Sequence, residues 1–296
     1  MNPKQADKLM TFVIYLMSSV IIVILMALLI YILVAGLPYV NWHFLTSAAK
    51  SFQSGGGIGA QLFNSLYLLV LSMLVSIPLS LGIAIYLSEY SQNIRVTTWI
   101  SSAIEVLSSL PSIVVGLFGF LVFVVQFKLS FSILSGALTL TIFNLPLLVR
   151  SMEDALQTVS LSQREAGLAL GLSRWETVVH VIIPECLPAI ITGIILSAGR
   201  VFGEAAALIY TAGQSAPPLD FTNWNVLSLT SPLNPLRPAE TLAVHIWKVN
   251  SEGLIPDASS VSAGASAVLI IAVLLFNFIA RYLSNRIYQH MTGVKS

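Results

Sequence analysis

Residues 151–188 read SMEDALQTVSLSQREAGLALGLSRWETVVHVIIPECLP, and this stretch decides how the flanking sequence is organised. It is too long for a hairpin turn and too ordered in pattern for a tether. Ser162 followed three residues later by Glu165 fits a capping box, in which a hydroxyl and a carboxylate satisfy the free amides of a helix start. Ser173 and Glu176 repeat the pattern. Gly171 lies between them, placed for the left-handed residue that ends a helix, and apolar Leu172 follows it. The spacing predicts a helix from about Gln163, a sharp turn at Gly171 and Leu172, and a second helix from about Arg174. Pro184 is expected to limit continuation of that second helix. Ala166, Leu168, Leu170, Leu172 and Trp175 on two such short helices would expose apolar surface that water does not tolerate uncovered. A DNA-reading helix–turn–helix is disfavoured by the lack of a basic cluster and by apolar runs on either side. A structural elbow without a partner and a knob that docks in a cleft of a cytoplasmic partner both remain.

Outward from this loop the chain is built for lipid. Of 296 residues 56% are hydrophobic and 9% are charged, against roughly 25% charge in a soluble domain. A formal net charge of +1 leaves no footprint for nucleic acid. Cys186 alone permits no internal disulfide, and His43, His180, His245 and His290 show no metal-ligand spacing. A bilayer core about 30 Å thick takes about 20 apolar residues in a helix. Runs of that kind fall at 11–34, 61–87, 99–127, 129–149, 187–212 and 261–283, with a very short turn around Lys128. The first exceeds the about 7–15 apolar residues of a cleaved signal. Irregular backbone cannot face lipid, so the expected fold is an all-α integral membrane protein with six transmembrane helices.

Basic residues set the expected orientation. With the N-terminus inside, Lys4, Lys8, Arg95, Arg150, Arg164, Arg174, Arg281, Arg286 and Lys295 fall on the cytoplasmic side, and Lys50, Lys128, Arg237 and Lys248 outside. The chain then divides into a cytoplasmic N-terminus at 1–10, a first span with its external segment at 11–60, a transmembrane domain at 61–286 that includes the 162–184 loop, and a cytoplasmic tail at 287–296. Gly55-Gly56-Gly57 is not a phosphate-binding P-loop, because no Gly-Lys-[Ser/Thr] follows. In the second external segment Leu242, Ile246 and Val249 have helical spacing after Pro238. They suit either an amphipathic helix lying on the membrane or a cap over the outer mouth.

Charges within spans are functional suspects, because insertion costs roughly 2.5–3.5 kcal/mol at mid-bilayer. Arg200 lies twelve residues beyond Pro188, about 18 Å along a helix. Glu204 is expected at i+4 on the same face, though Arg before Glu is the less favourable order. The two form either a structural ion pair at a helix seam or part of a water-accessible pathway where a guanidinium meets an oxyanion. A cation pathway is disfavoured. Glu105 is followed by Ser108, Ser109 and Pro111, which mark a kinked polar stretch; it lines the same pathway or hydrogen-bonds across a seam. Pro78 and Pro146 are read as kinks, and Asn144 as an interhelical hydrogen bond.

Glu165-Ala166-Gly167, three residues, Gly171, nine residues, Val181, one residue, Ile183 and Pro184 resemble the EAA signature of ABC importer permeases. The third Ala of that signature is Gly here, and its Ile and Leu positions hold Val and Ile. AIYLSEY ending at Tyr90, LPSIVVGLFGF from Leu110, GRVFGEAAALIYTAG from Gly199 and TLAVHIW from Thr241 resemble the phosphate-specific importers, and within them the PstA type of permease. The resemblance runs from about Gly55 onward. It implies a type I (MetI-like) ABC permease fold in a bacterial or archaeal cytoplasmic membrane, non-catalytic itself. ATP and Mg are then bound by a partner ATPase, in keeping with the absence of a Walker A sequence. It also implies a homologous PstC-like permease that encloses the pathway, a PstB-like ATPase dimer, a PstS-like phosphate-binding protein and a PhoU-like regulator. Glu165, Ala166, Gly167, Gly171, Leu172 and Pro184 become the ATPase coupling residues, and Arg200 and Glu204 match the phosphate path, with Glu105 a further candidate. Another oxyanion (sulfate, molybdate, a phosphonate) is the alternative cargo. An autonomous transporter or channel would leave the 162–184 element without a purpose. An intramembrane hydrolase lacks a nucleophile–base pair.

Overall fold

A computed structural model describes residues 3–50, 53–91, 93–215, 217–253 and 255–292. Lys295 and the end of the tail lie outside them. All regular structure among the described residues is helical. Helix α1 (Pro3–Gly36) leads through a single 3-10 turn to the short α2 (Trp42–Thr46) and then α3 (Gly59–Ile85), which widens into a π turn at Tyr86–Tyr90. α4 (Ile94–Ser109), α5 (Ser112–Gly119, prolonged by π turns to Gln126) and α6 (Ile133–Gln157) follow. The elbow consists of α7 (Leu161–Ala169) and α8 (Arg174–Thr177). α9 (Ile183–Phe202), α10 (Ala206–Ile209), α11 (Leu242–Glu252) and α12 (Ala258–Thr292) complete the chain.

Among the described residues five helices are long and apolar enough to cross a membrane, and six if a bent pair is taken as one span. That pair corrects the expected third span. Instead of one helix over 99–127, α4 and the α5 segment meet at 104°. The cause is local: Pro111 excludes the helical conformation from its predecessor, and Leu110 is extended with ψ 132°. The expected fifth span is corrected as well. Its apolar run continues to Ala212, but the helix stops at Phe202 with Gly203 as its C-cap.

α6 occupies the centre, packed against α3 and α9, with α12 beyond α9. Leu68, Met73, Ile133, Leu140, Leu148, Met152 and Leu156 are buried along these contacts. In lipid, apolar side chains gain little from leaving the solvent, so close packing and interhelical hydrogen bonds hold helices together. Gly193 lets α9 approach Ser151 of α6, and Gly119 does the same for Thr139. Asn144 bonds as expected: its Oδ1 accepts from the Ser197 hydroxyl of α9, while its Nδ2 reaches Met73 Sδ of α3 at 3.6 Å.

One end of the bundle carries the elbow, and the other carries a cap. In the cap, α11 buries Leu242 and Val249 with Phe44, Ile58, Val261, Ala265 and Val268. Its apolar face therefore lies on the bundle, which favours the cap over a helix resting on the membrane. Beneath it Arg237 is fully buried and donates to Asn64 Oδ1 at 2.7 Å and to the carbonyls of Ser231 and Pro232. Burial pushes its guanidinium down to about 10, still cationic at neutral pH. Glu240 accepts from Gln61 Nε2 at 2.8 Å and lies 3.2 Å from His245 Nδ1. These bonds fasten the cap to the first turns of α3.

Candidate functional site

The elbow forms as its local chemistry dictates, with one change of register. Ser173 accepts from the Glu176 amide at 3.2 Å, and the Glu176 carboxylate accepts from the Ser173 amide at 2.7 Å, so the second capping box is complete. The first is displaced. Ser160, not Ser162, is the N-cap, and its hydroxyl accepts from the amide of Gln163; Ser160 and Gln163 satisfy the same Ser-x-x-Gln rule two residues earlier. Between the helices Gly171 has φ +84°. Leu172 donates to the Gly167 carbonyl at 3.3 Å and Gly171 to that of Leu168 at 3.0 Å, the paired bonds of a Schellman turn. Gly167 is buried against Thr177, whose Cγ2 would stand 2.8 Å from an added Cβ. That contact accounts for glycine where the EAA signature has alanine.

Pro184 does not end the second helix. α8 passes through a π turn at Val178–Ile182 directly into α9, and the Ile183 amide reaches back to the Val178 carbonyl. The wider turn makes room for the proline ring, which would clash with the carbonyl four residues before it in a regular helix. A 29-residue helical rod thus runs from Arg174 to Phe202, about 43 Å at 1.5 Å per residue. Glu165, Ala166, Leu168, Leu170, Gly171 and Trp175 are exposed on the elbow, with Leu170 at 83% and Trp175 at 57%. Leu172 is half-buried. This is an apolar knob that nothing among the described residues covers.

Arg200 stands at the far end of the same rod. It is exposed, and its guanidinium carbon lies 4.0 Å above the ring of buried Phe143 on α6. Among the described residues no carboxylate is within ion-pair distance of it. Stacking on an aromatic face holds a guanidinium flat while its edge N–H groups stay free for an anion. Glu204 is not on the same helical face as expected. It falls beyond the end of α9, half-buried, and its Oε1 accepts from the Ala207 amide at 3.2 Å, capping α10. The seam ion pair between Arg200 and Glu204 is therefore absent. Glu105 is exposed on α4, before the 104° bend, and makes no ion pair with either residue among those described.

Two further residues carry the geometry and were not singled out in the sequence for these roles. Phe143 has no local signal, since an aromatic in an apolar run reads as core. Arg164 counts there only toward orientation. In the structure its guanidinium pairs with Glu89 and donates to the carbonyls of Leu156 at 2.7 Å and Val159 at 3.3 Å.

Residues 76–293 match the family described as binding-protein-dependent transport system inner membrane component. The chain is 52% identical over 293 residues to a probable ABC transporter permease protein, YqgI, of Bacillus subtilis, covering 99% of this chain and 100% of that one. It is 32% identical over 249 residues to the phosphate transport system permease protein PstA 2 of Mycobacterium bovis, covering 84% of this chain and 77% of that relative. Among solved structures, a bacterial alginate ABC transporter chain aligns with TM-score 0.65 at 14% identity over 96% of both chains. A chain of the inward-facing MetNI methionine ABC transporter aligns with TM-score 0.60 at 18% identity, over 76% of this chain and 93% of that one.

Proposed function

The chain belongs to the family of binding-protein-dependent transport system inner membrane components, and on that premise we propose that it carries phosphate. It is a multi-pass permease subunit of an ABC importer, and hydrolysis of ATP falls to a partner. In our reading it encloses half of a pathway with a homologous PstC-like permease. PstB-like ATPases grip the 162–184 elbow, and a PstS-like protein delivers the anion at the cap. The elbow end, with both termini, faces the cytoplasm.

The observation that carries the cargo reading is Arg200. A cation with no counter-ion among the described residues, at the exposed end of a helix in a chain with few charges, is costly to keep in a membrane. A planar fork of donors resting on Phe143 suits an oxyanion, and kinship with phosphate permeases over most of the chain points to phosphate. Glu204 contributes as the cap of the short helix beside it, and Glu105 as a polar group on α4, which packs on α6. Alternating access follows from the rod. Closure of the ATPase dimer displaces the elbow, and the continuous helix carries that displacement to Arg200.

The test is uptake of labelled phosphate in cells lacking other phosphate transporters. Arg200→Gln is expected to abolish uptake while the variant remains in the membrane and keeps its ATPase. Wild-type uptake by that variant would refute the role, and ATP-dependent uptake of labelled sulfate or molybdate with none of labelled phosphate would reassign the cargo.

A further inference from the structure

Arg164 and Glu89 are separated by 75 residues in sequence, and neither belongs to the docking knob or to the anion path. Their side chains are largely covered, 18% and 13% exposed. Glu89 sits in the π turn that closes α3, and Ser88 donates to the same carboxylate. The two carbonyls that Arg164 also holds are those of Leu156 in the last turn of α6 and Val159 just past it, where the helix dipole favours a cation. One guanidinium on α7 therefore grips the elbow-side ends of both α3 and α6. Immediately after it come Glu165 and Ala166 of the exposed knob, and one further residue on Gly167 packs on Thr177 of the rod.

We propose that the Arg164–Glu89 pair is a force-transmitting joint, by which displacement of the elbow moves α3 and α6 together with the α8–α9 rod. This rests on the reading that the elbow docks an ATPase. The rod reaches α3, α6 and α12 by the side-chain packing of α9 against them. α6 is tied to the knob directly by the three residues Thr158–Ser160, whereas α3 carries no residue of it, so a push on the knob reaches α3 through packing, which can slip, or through this pair. A partly buried ion pair resists separation because parting it leaves two desolvated charges without partners. Arg164 is a positioning residue: it touches neither cargo nor nucleotide.

The experiment uses the complete complex of this chain with its co-permease, ATPase and binding protein in proteoliposomes. Spin labels at Leu74→Cys on α3 and Leu274→Cys on α12, both exposed, report helix separation with and without ATP–vanadate trapping, a readout independent of cargo. Unsubstituted at the joint, the complex is expected to change separation on trapping. Glu89→Gln and Arg164→Gln are expected to lose most of that change and to lower uptake about tenfold, while the ATPase still co-purifies and hydrolyses ATP. Arg164→Lys, which keeps a cation beside Glu89 and a donor for the carbonyls, is expected to retain a substantial part of both. A full change in separation in either Gln variant, Arg164→Lys no better than Arg164→Gln, no change even in the unsubstituted complex, or loss of the ATPase from both Gln variants would each overturn the joint. Leu170→Asp separates the premise: retention of the ATPase at unsubstituted levels by that variant would sink the docking reading itself, whatever the labels show.

Discussion

At the scale of single residues the account turns on a guanidinium and its ring. Cation–π stacking contributes about 0.5–2 kcal/mol depending on desolvation, enough to fix the Arg200 fork but not to replace a counter-ion. Phe143→Leu is expected to raise the KM for phosphate uptake several-fold with little effect on the maximal rate, because the charge survives and only its orientation loosens. Unchanged KM in that variant would show that the stack is incidental. Arg200→Lys keeps the charge but loses the planar fork, so uptake should fall between the levels of unsubstituted protein and Arg200→Gln. The lysine variant matching full uptake would reduce the residue to a point charge. The role of Glu204 is legible only in three dimensions. Hydropathy continues through Gly203 to Ala212, so the sequence suggests a continuous helix, whereas the backbone breaks and turns the carboxylate to the Ala207 amide.

At the scale of elements, what was legible had short-range causes. The Gly171 turn and the Ser173–Glu176 box each involve residues within about five positions, and both formed where the pattern placed them. The first cap falls at Ser160 rather than at the expected Ser162, because a serine two residues earlier meets the same short-range requirement and local pattern alone does not rank the two. The kink at the Ser108–Pro111 stretch was legible, but not that it breaks the span by 104°, because hydropathy averages over a window longer than the Leu110–Pro111 break. The Arg164 joint escaped because its partners come from two other helices. Gly171→Asp forces a side chain into left-handed backbone, at a cost of about 1 kcal/mol, and puts a charge at the tip of the apolar knob. Loss of the co-purifying ATPase, with the permease still in the membrane, is the expected result; normal co-purification and uptake would contradict docking at the elbow. Ser173→Ala removes a cap worth about 1 kcal/mol without altering the exposed surface. It is expected to weaken coupling only modestly, and a loss as complete as that of Gly171→Asp would mean that fold rather than surface governs the contact.

At the scale of the whole molecule, the bundle divides labour between its ends. The cap is fastened to α3 by Gln61, Asn64 and the buried Arg237, while the elbow is apolar, exposed and joined to Arg200 by one continuous helix. Impermeant thiol labelling of Leu170→Cys is expected only from the cytoplasmic side, and of Trp224→Cys only from outside; the reverse would invert the orientation. A subunit of this kind supplies a path and borrows its motor. The most direct measurement is therefore phosphate flux into proteoliposomes holding this chain alone, or this chain with its co-permease, ATPase and binding protein, with and without ATP. The account predicts flux only in the complete assembly and only with ATP. Phosphate movement through the lone chain, or through the assembly without nucleotide, would contradict it.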